Sequence, residues 1–505
     1  MRFGRTTIAV LGALALIGGV ASLAAGSGHA RPKARRALAV RTARRRRLNV
    51  VLILSDDENT DGATVMRNVH RLLAEHGITF ANAHVTTSEC GPSRASILLG
   101  QYSHHTGVVD NFGSYHRFED GSTLATWLHG AGYETGLVGK YLNDYPLEGH
   151  DATPPGWDDW EVMDSVPEEK YYDYTIDDNG RLRHYGHAPA DYSTTVLTKR
   201  AVRFIRRARK PFFLYFAPVA PHLPAIPAPR DRRRLEDIAP LHAPSIDERD
   251  VGDKPWAAWH AKLLKAAADL YEDHVRRRQL ESLLALDRSV ASIVRTLRQR
   301  HELDDTVIVY TSDNGFLWGQ HRLGGKLWPY EESTHVPLVV RTPWTQGNGT
   351  VSEAQVLNID LASTIAQLAG VTPGIPQDGV SFVPLLRGER VRWRRSYVVE
   401  YLGRNELRTG GPPPYDAVHT ARYLYVEYRR GWRELYDLKR DPWELDNVAG
   451  TARYAAVEAR LDVLLGRLMA APPRRVEGGG GDPGGHAAPV GSGTSGAATG
   501  TTARA

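Results

Sequence analysis

The chain has 505 residues, 42% hydrophobic and 24% charged, with one cysteine. This is enough apolar content for a sizeable core, and a lone cysteine excludes an intramolecular disulfide or a cysteine-based metal cage. Residues 1–47 hold eleven of the 63 Lys and Arg and none of the 58 acids. The remaining chain is therefore near −6, which removes the support for a nucleic-acid partner.

Arg2 and Arg5 precede an apolar run from Ile8 to Ala25, and Gly28-His29-Ala30 follows as a cleavage site. Residues 1–30 thus read as an export signal, or as an uncleaved membrane anchor given the length of the run. Residues 31–47 read as a basic disordered arm. Asn49–Leu54 is an apolar strand of the doubly buried kind, ending in Ser55-Asp56-Asp57. Further strands are expected at Gly136–Val138, Phe212–Phe216, Thr306–Tyr310 and Val336–Val340. Helical patterns occupy Thr64–His76, Ser93–Leu99, Thr123–Ala131, Tyr192–Ala208, Trp256–Arg300 and Ile359–Leu368. Such alternation predicts an α/β domain over 48–389, a mainly parallel sheet flanked by helices. Ligands in such sheets sit beyond the carboxyl ends of the strands, where Asp56-Asp57 and Asp313-Asn314 fall.

Over 390–471 the texture changes to aromatic-rich runs at Tyr397–Tyr401, Ala417–Thr420, Tyr423–Tyr428 and Trp432–Leu438, then a helix over Arg453–Met469. This predicts a small antiparallel sheet with a covering helix. Residues 472–505 are rich in Gly, Ala and Thr and read as a disordered tail.

The chemistry centres on Cys90-Gly91-Pro92-Ser93-Arg94. Pro92 suits a first helical position, which puts Cys90 at a helix N-terminus, where free N–H groups favour anions. Arg94 adds a cation on the same turn. Asp56, Asp57, Asp313 and the Asn314 amide are oxygen donors suited to Ca²⁺ or Mg²⁺. Taken singly, Asp56-Asp57 also reads as a helix cap and Asp313-Asn314-Gly315 as a tight turn.

The Cys90–Arg94 motif resembles the signature of the formylglycine-dependent sulfatase family, Cys-x-Pro-Ser-Arg. The resemblance extends from Asn49 to about Ala449. It includes Tyr133–Lys140, Ala220–Pro224, Ser312–Gly315, Gly325–Glu331, and Glu434–Leu438 followed by Asp441-Pro442-Trp443-Glu444 and Asn447. It implies an alkaline-phosphatase-like fold and a Cys90 oxidised to formylglycine by a separate enzyme before export. It also implies one Ca²⁺, with Mg²⁺ as the alternative, held by Asp56, Asp57, modified Cys90, Asp313 and Asn314. Arg94, Lys140, His222 and Lys326 would then serve the sulfate group and the leaving alcohol.

By this resemblance a hydroxyl of the hydrated aldehyde, activated by the metal and Asp313, attacks sulfur. His222 or Lys326 protonates the leaving alcohol, and the second hydroxyl expels sulfate. Many arylsulfatases place a His two residues after the Lys of the Gly-Lys motif, as the base for release; here that position is Leu142. The Lys140-Tyr141-Leu142-Asn143 wording, with Pro155-Gly156-Trp157 and Pro221–Pro224, is similar to N-acetylglucosamine-6-sulfatases and extracellular endosulfatases. This implies an exported, secreted or cell-surface enzyme acting on a sulfated sugar such as glucosamine 6-sulfate, or on aryl sulfates. The stretch 151–185 and the loop 217–229 are expected to wall the pocket. Two alternatives stand beside this reading: a phosphate or phosphonate monoester hydrolase, which Asn314 disfavours, and a sulfated-glycan-binding protein without turnover.

Overall fold

The computed structural model describes residues 47–476, apart from 147–152, 164–170, 210, 257–270, 346–348 and 404–410. The expected export signal, almost all of the basic arm and most of the tail lie outside the described residues.

Asn49–Ser55 forms strand β1, and all seven of its residues are buried. Side chains alternate between the faces of a strand. Here Val50, Leu52 and Leu54 enter one apolar cluster, Val51 and Ile53 the other. Such a strand belongs in the middle of a sheet covered on both sides. Its sheet partners are β2 (Gly77–His84), β3 (Glu134–Gly139), β4 (Asp159–Met163), β5 (Tyr174–Asp178), β6 (Leu182–Tyr185), β7 (Phe212–Ala217) and β8 (Thr306–Ser312). After a small pair, β9 (Leu317–Trp318) and β10 (Gly324–Gly325), come β11 (Leu338–Arg341) and β12 (Thr350–Leu357). The order across the ten-stranded sheet is β12-β2-β11-β8-β1-β7-β3-β4-β5-β6. Strands β8, β1, β7, β3 and β4 are parallel, while β11, β5 and β6 run antiparallel to their neighbours. The α/β, mainly parallel sheet expected from the sequence is therefore present.

Helices Cys90–Leu99, Leu124–Gly130 and Asp360–Ala369 cover one face. Helices Arg67–Leu72, Ser193–Arg207 and Arg277–Gln299 cover the other. Each buried Leu, Ile, Val or Phe contributes about 1.5–3 kcal/mol relative to exposure.

Two expectations need correction. The helix expected over Thr64–His76 is broken into a 3₁₀ turn Thr60–Val65, an α-helix Arg67–Leu72 and a second 3₁₀ turn Ala74–His76. The Asn59 side chain accepts from Asp61 N and Gly62 N, starting a tight turn. Asp287 then accepts from Asn68 N and Val69 N, capping a new helix start inside the expected one. Strands β2, β4, β5, β6 and β12 escaped the sequence reading because none is a simple apolar run. β12 is polar and half exposed, and β4 carries buried Glu161, which Arg203 neutralises at 2.6 Å. Within 151–185, β4, β5 and β6 lie toward one edge of the sheet with Trp160 packed in the core, while Tyr171 donates to His222 O.

The C-terminal part follows expectation. Strands β13 (Ser396–Tyr401), β14 (Tyr415–Thr420), β15 (Tyr423–Tyr428) and β16 (Arg433–Asp437) form an antiparallel meander, covered by the helix Ala455–Met469. Glu331 joins the two sheets. Its carboxylate meets His419 Nε2 of β14 at 2.7 Å, His84 Nε2 of β2 at 3.1 Å and His335 Nδ1 at 3.3 Å. His335 Nε2 also lies 2.8 Å from the Ala81 carbonyl. Both partners of His335 only accept, so both its nitrogens carry protons. Burial opposes that charge, but the hydrogen bond and the charge of Glu331, with the Ala81 carbonyl, together outweigh it and raise the His335 pKa. Burial has the opposite result at His84, which is pushed down to about 4 and stays neutral.

A raised histidine pKa adds stability that is full below the unfolded value of 6.5 and fades as pH climbs through the folded value. The substitution His335→Gln should therefore lower Tm most below pH 6.5. The gap to the native chain should close as the medium becomes alkaline, which thermal unfolding across a pH series will measure.

Candidate active site

Strands β1 and β8 pair in parallel with Ser55 opposite Ser312. That register places Asp56-Asp57 and Asp313-Asn314 side by side at the carboxyl edge of the sheet. The Asp313 amide donates to Ser55 O at 3.1 Å, and the Asp57 amide donates to Asp313 Oδ1 at 3.1 Å. Asp57 holds a left-handed φ of 69°, which turns the chain sharply after the strand. The next strands in the same direction, β7 and β3, lead to His222 and Lys140. The edge thus gathers residues from four neighbouring strands.

The helix Cys90–Leu99 brings the remaining groups, and every one of its residues is buried. It begins at Cys90 itself, with Glu89 as N-cap, so Pro92 occupies the third helical position rather than the first. Its missing N–H still falls in the first turn, where no intrahelical bond is lost. Cys90 Sγ lies 3.3 Å from Asp56 Oδ1 and 3.8 Å from Asp57 Oδ1. Lys326 Nζ reaches Cys90 Sγ at 2.6 Å and also contacts Asp57 Oδ1.

Arg94 is fully buried and donates through Nε to Asp313 Oδ2 at 2.8 Å and through Nη1 to the Lys140 carbonyl at 2.9 Å. Its Nη2 lies 3.3 Å from Asp56 Oδ2, and Lys140 Nζ donates to that same oxygen at 2.7 Å. Asn314 Nδ2 donates to Asp57 Oδ1 at 2.7 Å. His222 Nδ1 faces its neighbour's carbonyl, Leu223 O, at 2.7 Å, which turns Nε2 toward Asp57 Oδ2 at 3.5 Å. The geometry thus brings all nine residues singled out in the sequence into one cluster. One ligand atom from each of Asp56, Asp57, Cys90 and His222 lies within 4.8 Å of the others.

The charges are unevenly shared. Burial opposes ionisation of Asp56, yet the surrounding cations, Lys140 foremost, hold its carboxyl far below the usual range. Burial and the Asp56 charge push Asp313 up to about 6. Burial, then Asp56, raises the Cys90 thiol well above its ordinary value. An unmodified Cys90 is therefore a neutral thiol and a poor nucleophile.

Leu142, the position at which resemblance to many arylsulfatases would place a His, is fully buried in the apolar cluster with Val108 and Trp160. Two polar residues beside Cys90 went unnoticed in the sequence. Asn111 Oδ1 accepts from Gly91 N at 2.7 Å, and Glu89 Oε1 accepts from Asn111 N at 3.0 Å. They tie the 110–113 loop to the helix mouth; the acid directly before Cys90 was the available signal.

Residues 48–371 match the family model described as sulfatase. The chain belongs to the sulfatase family, enzymes that hydrolyse sulfate esters. Residues 319–471 also match the model described as the C-terminal part of N-sulphoglucosamine sulphohydrolase. An extracellular sulfatase SULF-1 homolog of Drosophila melanogaster is 34% identical over 72% of the chain; the match spans only 34% of that longer protein. Human N-acetylglucosamine-6-sulfatase is 33% identical, covering 80% of this chain and 82% of the relative. Among solved structures, a protein in complex with its substrate D-glucosamine-2-N,6-O-disulfate has a TM-score of 0.72 and 27% identity, over 83% of this chain and 97% of that one. The phosphonate monoester hydrolase of Agrobacterium radiobacter shares the fold, with a TM-score of 0.68 and 23% identity, over 84% and 96%.

Removing Arg94 would leave two buried carboxylates without their shared cation. Arg94→Met is expected to cost about 3–5 kcal/mol of stability, measured by denaturant unfolding, as well as activity.

Proposed function

We propose that this sulfatase removes sulfate from a sugar, with glucosamine 6-O-sulfate as the substrate class, by means of a formylglycine made from Cys90 and a Ca²⁺ ion. The observation that carries the reading is the position of Cys90. It sits at a helix mouth against two acids, with Lys326 in contact and Arg94 one turn on. The sugar rests on the names of relatives, N-acetylglucosamine-6-sulfatase in man and N-acetylglucosamine-6-O-sulfatase in Bacteroides thetaiotaomicron.

The residues fit a hard divalent cation. Asp56, Asp57, Asp313 and Asn314 offer only oxygen, and Asn314 Oδ1 is buried with no hydrogen-bond partner. Ca²⁺ suits such a set, with Mg²⁺ second, and modified Cys90 would add a further oxygen. When bound, the ion would draw negative charge from the ester oxygens, and the modified side chain would supply a hydrated aldehyde as nucleophile. Arg94 fixes Asp56 and Asp313 in place, and Lys140 keeps Asp56 ionised. Lys326 and His222 are the groups placed to hand a proton to the departing alcohol. Leu142 packs in the core and takes no part in proton transfer, so a group other than residue 142 must take the proton when sulfate is released.

The division into a catalytic domain over 48–389 and a C-terminal subdomain over 390–471 belongs to the same proposal. So does export to the cell surface or beyond, in line with relatives named extracellular sulfatase. Among the described residues no helix is long and apolar enough to cross a membrane.

Mass spectrometry of the Cys90 peptide from the native host should find the thiol replaced by an aldehyde oxygen; an intact thiol in active enzyme would exclude the formylglycine. The Cys90→Ser chain should retain one covalently attached sulfate group after exposure to substrate, and full turnover by it would sink the mechanism. Aryl sulfate and glucosamine 6-sulfate should be hydrolysed in strong preference to aryl phosphate, and chelation of divalent metal should abolish both activities. A preference for phosphate would instead favour the phosphomonoesterase or phosphonate hydrolase reading, whose fold is shared.

A further inference from the structure

The acidic balance of residues 48–505 hides one strongly basic face. Three cavities lie along the loop that follows His222 and the helix Arg277–Gln299. One, of about 610 Å³, is lined by Lys199, Arg230, Arg288 and Arg295, with hydroxyls of Thr195, Thr198, Ser289 and Ser292 and no acid at all. A second, of about 820 Å³, has Arg232, Arg233, Arg277 and Arg278 in its wall. The third, of about 320 Å³, shares Arg230 and Arg288 with the first and adds Arg67 and Arg234.

The acids that line these cavities are already engaged. Asp231 takes Arg288, Glu236 takes Arg233, Asp287 caps the Arg67–Leu72 helix and Glu281 accepts from Leu235 N. Lys199, Arg230, Arg234 and Arg295 are exposed and form no ion pair among the described residues. Among the described residues their charges face solvent uncompensated, which on a chain with an acidic body is a local concentration of positive potential.

The face is joined to the active site by chain. Ile226, in the wall of the second cavity, is four residues beyond His222, so the two lie within about 14 Å of each other at full extension. Tyr171 and Tyr192 anchor this stretch by donating to His222 O and Ile226 O. Thr64 and Val65, in the wall of the third cavity, follow closely on Asp56-Asp57.

We propose that this face binds further sulfate groups of a polysulfated polysaccharide whose target sugar occupies the Cys90 pocket. The proposal rests on the sulfatase reading above and extends it from a single sulfated sugar to a chain. A monosulfated sugar does not need an acid-free cavity with four cations outside the catalytic pocket. A polyanion does, since each Lys or Arg it meets releases condensed counter-ions and adds affinity that falls with salt.

The test compares the full chain with a triple variant, Lys199→Ser, Arg230→Ser and Arg295→Ser, each in a Cys90→Ala background so that binding is read without turnover. Heparin is the probe, titrated across a salt series. The basic N-terminal arm is present in both chains and so cancels. The triple variant should lose about tenfold or more in heparin affinity, and its log–log salt slope should be shallower by about three. With Cys90 intact, the same three substitutions should leave aryl sulfate hydrolysis unchanged. A matched control, Arg390→Ser, Arg392→Ser and Lys439→Ser, removes equal charge elsewhere and should keep native affinity.

Equal heparin affinity in the triple variant would overturn the proposal. So would an equal loss in the control, which would make the effect one of net charge, or duplex DNA bound as tightly as heparin at the same salt, which would make the face a general polyanion surface. Failure of sulfate hydrolysis with heparin binding intact would refute the catalytic reading while leaving the face as a glycan site.

Discussion

Arg94 is the interaction on which the site depends. A guanidinium with no exposure to solvent spans Asp56 and Asp313, which belong to strand ends 257 residues apart in sequence but adjacent in the sheet. Two carboxylates at neighbouring strand ends repel each other, and burial sharpens that repulsion. Arg94 converts it into a clamp, hydrogen-bonding Asp313 and the Lys140 carbonyl and forming an ion pair with Asp56. Lysine, with a compact charge, could not hold this planar arrangement. Lys140 then breaks the symmetry by donating to Asp56, and Asp56 remains firmly ionised while Asp313 is pushed up to about 6.

The clamp is continuous with the join between the two sheets. Gly315 N donates to Ser333 O and Phe316 N to Glu332 O, so the loop after Asp313-Asn314 hangs on the short helix Glu331–Thr334. Glu331 is the residue gripped by His84, His335 and His419. The C-terminal sheet therefore supports the position of the β8 acids although none of its own side chains belongs to the cluster described at Cys90.

Local sequence revealed the parts of the molecule whose chemistry is short-range. Asn49–Leu54 is apolar on both faces and has no other reasonable home than a sheet centre. Cys90–Arg94 and the acids after two strands announced a site because strand-end position and residue type are both legible locally. What could not be read was any feature decided by distant partners. Asp287 cuts the expected Thr64–His76 helix from more than two hundred residues away, and Glu161 sits in a buried strand only because arginines on the helix Ser193–Arg207 neutralise it. The basic face was lost for a different reason: a summed charge reports no geometry, and ten cations on one side vanish into an acidic total.

The complete burial of Cys90 also sets an order of events. No enzyme can reach that side chain once β1 and β8 have paired and the helix has seated, so any enzymatic conversion of it precedes folding. Strand β8 begins about two hundred residues after Cys90, and until it has been synthesised the cluster lacks Asp313 and Asn314. At translation rates of about 5–20 residues per second, the side chain stays open for roughly ten to forty seconds. If Cys90 is converted as proposed, maturation would be a race between a modifying enzyme and the closure of a sheet, with long-range topology setting the time allowed.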